Sequence, residues 1–167
     1  MDDLVRAIAL ASRVSAALSN LGIAPPDEKA AQDALHPFDR MNLHTSLPLK
    51  VRALFDDGHF PEATFAASVY LDNLVKRLSN LKGKTGYKLM MDAFNEEAPK
   101  VRVNGLESES ERDEQVGIKF LFAGVASALR NPRGHEHDLI ETPDQCLDHL
   151  ALISFLLRKL EAAGYQV

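Results

Sequence analysis

Apolar residues recur at helical spacing along almost the whole chain, and strand-like alternation is confined to one short stretch. Residues 3–21 put Leu4, Ile8, Ala11, Val14 and Leu18 on one stripe, with Gly22 as a stop. Ala24-Pro25-Pro26 then breaks the chain, and residues 22–34 read as a linker. Ser46 fits the cap of a short helix through Phe55, with Pro48 in its first turn and Asp57-Gly58 after its end. Pro61 starts a long helix with Ala63, Ala66, Ala67, Tyr70, Leu74 and Leu78 on its apolar face. A shorter helix is expected from Tyr87 to Glu97, stopped by Pro99.

Val101-Arg102-Val103 alternates like a strand before the Asn104-Gly105 turn signal, but a single short pair does not define a fold, and residues 99–109 are expected to be a loop. Ser110-Glu111-Arg112-Asp113 resembles a capping box. The helix it would open carries Val116, Phe120, Ala123, Val125, Ala126 and Leu129, apolar nearly all round, which predicts a central helix. Ala123-Gly124 would let another helix approach. Pro132 should end the helix, because proline lacks an amide hydrogen and restricts Asn131. Thr142, Pro143 and Asp144 mark the start of a last helix that buries Leu147, Leu150, Ser154, Leu157 and Leu160, with Gly164 as its terminator. The fold class expected is all-α, a bundle of four to five main helices over residues 35–167, preceded by an N-terminal helix and linker over residues 1–34.

Composition changes this picture little. The chain has 167 residues, 46% hydrophobic and 26% charged, enough for one globular core. No apolar run approaches the roughly 20 residues that span a bilayer. The acidic start Met1-Asp2-Asp3 and the single Cys146 predict a cytoplasmic protein without a disulfide. A net charge of -5 disfavours broad binding to duplex DNA but leaves room for a local basic surface. Lys76, Arg77, Lys82, Lys84, Lys88, Lys100 and Arg102 supply such a stretch, while acids gather from Glu107 to Glu114.

The candidate chemistry lies in Arg130-Asn131-Pro132-Arg133-Gly134-His135, at the end of the most apolar helix. An imidazole can move a proton near neutral pH, and a guanidinium holds phosphate oxygens through paired donors. Cleavage of RNA needs both, and neither role requires a metal. The spacing alone is unspecific, since Arg52 and His59 also fit it. Cationic capping of a helix end is the plainer explanation of the bare pattern.

The segment resembles the arginine-x4-6-histidine motif of the HEPN superfamily, with Asn131 at the polar position after the arginine. The chain is also similar to one branch, the Ymh-type prokaryotic family. The similarity lies in Leu35-His36-Pro37, the run Leu54 to Ala63, Gly86-Tyr87-Lys88-Leu89-Met90, and Gln115 through His135. That resemblance implies a HEPN-like helical bundle that forms a homodimer with a composite cleft. It implies an endoribonuclease of toxin–antitoxin, abortive-infection or antiviral defence systems, with RNA as substrate and a possible antitoxin or defence partner. Arg130 and His135 would then be catalytic, with Asn131 beside them. The alternative is a non-catalytic module binding RNA, a nucleotide or a protein, or a scaffold whose motif is a relic.

Glu62, Arg133 and His137 are possible supporting residues. Glu62 could orient His135 or Arg130, although a helix dipole explains an acid in a first turn. His137 reads first as a solvated loop histidine, and Arg133 has no evident duty. His36 and His59 are expected to cap free carbonyls, and Cys146 to be a small core residue. Asp39, His44 and Asp57 make no convincing metal set, and no cofactor or membrane partner is expected.

Overall fold

The computed structural model describes residues 35–135 and 138–167, and every regular element among them is helical. Helix α1 is Pro37–Arg40, α2 Leu49–Asp56, α3 Phe60–Ser79, α4 Gly86–Ala93 and α5 Glu109–Gly124. A π-helical segment Val125–Arg130 runs on into α6 (Asn131–His135), and α7 is Pro143–Ala162. The expected helix at 3–21, its Gly22 stop and the linker at 22–34 lie outside the described residues, as does His137. Residues 37–167 make one compact unit.

Helix α3 is the axis of this bundle. It packs on α2, α4, the π segment and α7. Its small buried residues, Ala63, Thr64, Ala67 and Ser68, let neighbours come close, and Leu71, Leu74 and Val75 fill the space beyond. From the other side α7 contributes Leu147, Leu150, Ile153, Leu157 and Leu160, each nearly or fully buried. Ser154 sits among them because its hydroxyl bonds back to Leu150 O at 2.7 Å and accepts His44 N at 3.0 Å. Phe94 of the α4 end stacks on Phe122 of α5 with ring centroids 4.3 Å apart.

Several boundaries differ from the expectation, each for a local reason. Ser46 does not cap α2; its hydroxyl reaches Val167 O at 3.4 Å, and Pro48 occupies the cap position. Helix α4 stops at Ala93 rather than Glu97, because Asn95 Oδ1 accepts from Glu97 N and Ala98 N and closes a side-chain turn in place of the helix. The capping box is Ser108 with Glu111, two residues upstream of the Ser110 start. A glutamate at the third position has the reach that the Ser110 box, ending in Asp113, lacks.

Residues 99–108 carry no strand, as the loop expectation requires. Buried Gln115 supplies what a sheet partner would. Its Oε1 accepts Val103 N at 3.0 Å, and its Nε2 donates to Val101 O at 2.9 Å and Phe94 O at 3.3 Å. Helix α5 is less central than its composition predicts. Phe122 and Ala123 are buried, but Phe120 and Leu121 are 55% and 42% exposed, and no atom lies within 4 Å of where a Cβ on Gly124 would stand.

The largest departure is at Pro132, which sits inside a helix instead of ending one. In an α-helix the pyrrolidine ring would strike the carbonyl four residues earlier. The chain widens to π geometry just before it, with Asn131 N donating to Ala126 O five residues back. The wider turn takes up the ring, and the helix continues to His135.

Candidate functional site

The π segment delivers Arg130 at its last position and α6 opens with Asn131. Both side chains are directed at Gly86, the first residue of α4. A Cβ placed on Gly86 would lie 3.5 Å from Arg130 Nη1 and 3.9 Å from Asn131 Oδ1. Gly86 has φ +59, a left-handed conformation that glycine adopts without strain. Its N–H donates to Asp72 Oδ1 at 2.6 Å, and Asp72 is only 3% exposed on α3. A buried carboxylate thus pins the start of α4 where the arginine lies against it.

Arg130 itself is half-buried, and its Nε is shut off from solvent with no hydrogen-bond partner. Among the described residues none makes an ion pair or hydrogen bond with its guanidinium. Leaving a buried donor unmade costs about 1–3 kcal/mol. A ligand that accepts from this guanidinium would be bound where the chain has left donors unused.

Arg133, three residues on, has the opposite fate. Its Nε donates to Glu141 Oε2 at 2.8 Å, its Nη2 forms an ion pair with the same oxygen at 2.8 Å, and its Nη1 donates to Leu129 O at 3.0 Å. The other oxygen, Glu141 Oε1, accepts Thr64 Oγ1 at 2.6 Å and lies 2.7 Å from His149 Nδ1. That distance to an anion assigns the proton to Nδ1, so the 3.2 Å approach of Arg133 Nη2 to the same nitrogen is adjacency, not a bond. Arg133 is therefore a structural cation, which ties the helix end carrying the motif to α3 and α7.

His135 is exposed at the end of α6, directly after Gly134, whose Cβ position would be 3.3 Å from the Phe65 ring on α3. Glu62 is exposed one turn before Phe65 and borders a groove of about 490 Å³ between α2 and α3, with Leu54, Phe65 and Tyr70. Among the described residues it bonds to neither Arg130 nor His135. The second arginine–histidine pair does not form a site: Arg52 lies 3.7 Å from Asp39, and exposed His59 makes no side-chain cap for α3.

Cys146 is buried as expected, with its thiol pushed up to about 11 chiefly by burial. Thr64 Oγ1, whose proton goes to Glu141, lies 3.5 Å from its sulfur. Among the described residues no three His, Cys, Asp or Glu side chains gather as a metal-holding group. None of the described helices is long and apolar enough to cross a membrane.

Glu141, Thr64 and Asp72 are the polar residues that reading the sequence did not single out. Glu141 precedes the Thr142-Pro143 cap and looks there like any acid near a helix start. The signal available was indirect: Arg133 needed a partner, and Glu141 is one of the acids that follow it closely in the sequence.

No curated protein and no solved structure matches the chain. One family model does, over residues 41–160, and that span takes in α2 through most of α7 together with Gly86, Arg130, Arg133 and Glu141. The chain belongs to this family, described as "Protein of unknown function (Hypoth_Ymh)".

Proposed function

We propose that the protein is a metal-independent endoribonuclease of the HEPN type, acting in the cytoplasm in toxin–antitoxin or anti-phage defence. It cleaves RNA to 2',3'-cyclic phosphate and 5'-hydroxyl ends. Arg130 binds the scissile phosphate and stabilises the charge that develops on it. His135 transfers the proton, as base toward the 2'-hydroxyl or acid toward the leaving oxygen. Asn131 orients the phosphate or the loop beside Arg130. Two copies of the chain form the working unit, each contributing its Arg130 and His135 to one cleft.

One observation carries this reading. Of two arginines three residues apart, Arg133 is neutralised by Glu141, while Arg130 is left unpaired among the described residues with its Nε already desolvated. An arginine needed only for the fold would be expected to have found a carboxylate or carbonyl. One kept for phosphate would not, because a resident anion would compete with the substrate.

The test is cleavage of a mixed panel of single-stranded and structured RNAs by the purified protein in EDTA, with end-group analysis of the products. Arg130→Ala and His135→Ala should each lower the rate roughly 100-fold or more, with thermal unfolding near wild type. Intact RNA throughout, or cleavage undiminished in both variants, would refute the enzyme. RNA binding without turnover, lost in Arg130→Ala, would instead make the protein a binding module.

A further inference from the structure

The five-residue segment Lys84-Thr85-Gly86-Tyr87-Lys88 belongs to no role described so far, yet its central glycine is the residue against which Arg130 and Asn131 rest. Between Asp72 and Asp92 the chain has no acidic residue and five cations, Lys76, Arg77, Lys82, Lys84 and Lys88. Of these Lys82, Lys84 and Lys88 are exposed on the turn into α4 and on its first turn. Lys84 meets Asp92 in an ion pair whose side chains are 43% and 47% exposed. Exposed pairs of this kind are worth between nothing and about a 5-fold shift in equilibrium, so a phosphate can displace the carboxylate.

Tyr87 is 48% exposed, although the glycine before it is buried and anchored to Asp72. It stands on the first turn of α4 between Lys84 and Lys88, next in the chain to the glycine touching Arg130. An exposed aromatic ring between cations, on a rigid element, is the combination that holds single-stranded nucleic acid: bases stack on the ring and phosphates meet the amines. Here rigidity comes from the Gly86 N–H bond to buried Asp72.

We propose that Lys84 to Lys88 forms a substrate lip that seats an unpaired nucleotide of RNA next to Arg130. Tyr87 stacks on the base, and Lys84 and Lys88 contact the phosphates on either side of it. This rests on the assignment of Arg130 to a scissile phosphate and adds the substrate class: unpaired RNA, selected by stacking. Duplex RNA is a poor fit, since its bases are already stacked on one another.

The test measures binding of a fluorescent 12-nucleotide 2'-O-methyl RNA, which lacks the attacking hydroxyl, as a single strand and annealed to its complement. Wild type should prefer the single strand. Tyr87→Ala should raise Kd roughly 5- to 150-fold, while Tyr87→Phe, which keeps the ring, stays within about 3-fold. The Lys84→Ala/Lys88→Ala double variant should flatten the salt dependence by about 1.4 in log Kd per log salt, about 0.7 for each lost phosphate contact. Melting temperatures establish that each variant is folded.

Binding that ignores Tyr87→Ala, a Tyr87→Phe defect as large as that of Tyr87→Ala, equal affinity for duplex, or no binding by wild type would each overturn the lip. The two proposals separate cleanly. Binding with these dependences but without cleavage of unmodified RNA leaves the lip and removes the nuclease. Cleavage with KM and Kd untouched by Tyr87→Ala leaves the nuclease and removes the lip.

Discussion

Arg133 and Glu141 form a salt bridge in which both partners are almost entirely withdrawn from water, with side chains 7% and 2% exposed. Two of the guanidinium's nitrogens lie 2.8 Å from one carboxylate oxygen, and the other oxygen takes Thr64 and His149. The pair thereby joins the end of the motif helix to α3 and α7.

Removing either partner leaves the other charge buried without compensation, which costs about 3–5 kcal/mol. Arg133→Ala and Glu141→Ala should therefore each be strongly destabilised in urea or thermal unfolding. The Arg133→Met/Glu141→Leu double variant should recover a large part of the loss, because no charge is then stranded. If both single variants unfold like wild type, the pair does not hold the fold together. Arg133→Lys should fall between, since an ammonium cannot reproduce the guanidinium's two nitrogens at Glu141 together with its bond to Leu129 O.

Cys146 reports on the same region. Burial raises its thiol to about 11; the nearby Thr64 and the charge of Arg133 lower it, while Glu141 adds to the rise. At pH 8 only about one thiol in a thousand would be the reactive thiolate, and access is blocked as well. Native protein should resist a thiol reagent for hours, whereas denatured protein labels stoichiometrically at its single cysteine. Arg133→Ala should label faster than wild type, because opening exposes the sulfur more often. Rapid labelling of the native wild type would contradict the burial.

An acid-side dependence follows from Glu114. Lys159 at 2.5 Å and Asn104 at 2.9 Å both donate to its carboxylate and hold it below the usual value near 4.5. A lowered folded-state value means the stabilisation is present above about 4.5 and is lost as pH falls through the folded value. Wild type should therefore melt above Glu114→Gln at pH 7, by a few degrees at most for so exposed a pair. The gap should narrow as pH falls below about 4.5. A gap that persists unchanged at pH 3 would mean that charge is not its source.

Helix type and most helix positions were legible because each depends on short-range spacing: Leu147 through Leu160 on one face, Thr142-Pro143 as a start, Gly164 as a stop. The π segment was not. Proline's usual conflict with a helix argues for a break at 132, and only the register shift between Ala126 and Asn131 shows how the chain avoids it. Caps were ambiguous where two serines two residues apart could both begin α5. In the candidate site, Arg130 and His135 are visible as a pair, yet the division of labour between Arg130 and Arg133 is a matter of which one reaches a buried acid. Nothing in the spacing of Arg133, Glu141 and His149 announces that they meet, since no helical periodicity connects the first two across Gly134 and the residues up to Ile140. The contact of Arg130 with Gly86 joins positions 44 residues apart in the sequence and depends wholly on how α4 docks.

That contact makes a last prediction, about Gly86. An alanine Cβ there would meet Arg130 Nη1 and Asn131 Oδ1 at 3.5 and 3.9 Å, ordinary contact distances, so crowding is not the main cost. The backbone is: φ +59 costs an L-residue about 1–2 kcal/mol. Gly86→Ala should lower the melting temperature by roughly 2–8 °C. Asp72→Ala should cost a similar about 1–3 kcal/mol by stranding the buried Gly86 N–H, while Asp72→Asn, which keeps an acceptor oxygen, should cost less. In each variant the start of α4 loosens against Arg130, so hydrogen exchange at residues 86–90 should accelerate more than exchange in α7. If exchange rises equally in both helices, Asp72 and Gly86 serve the bundle as a whole and do not specifically hold α4 against the arginine.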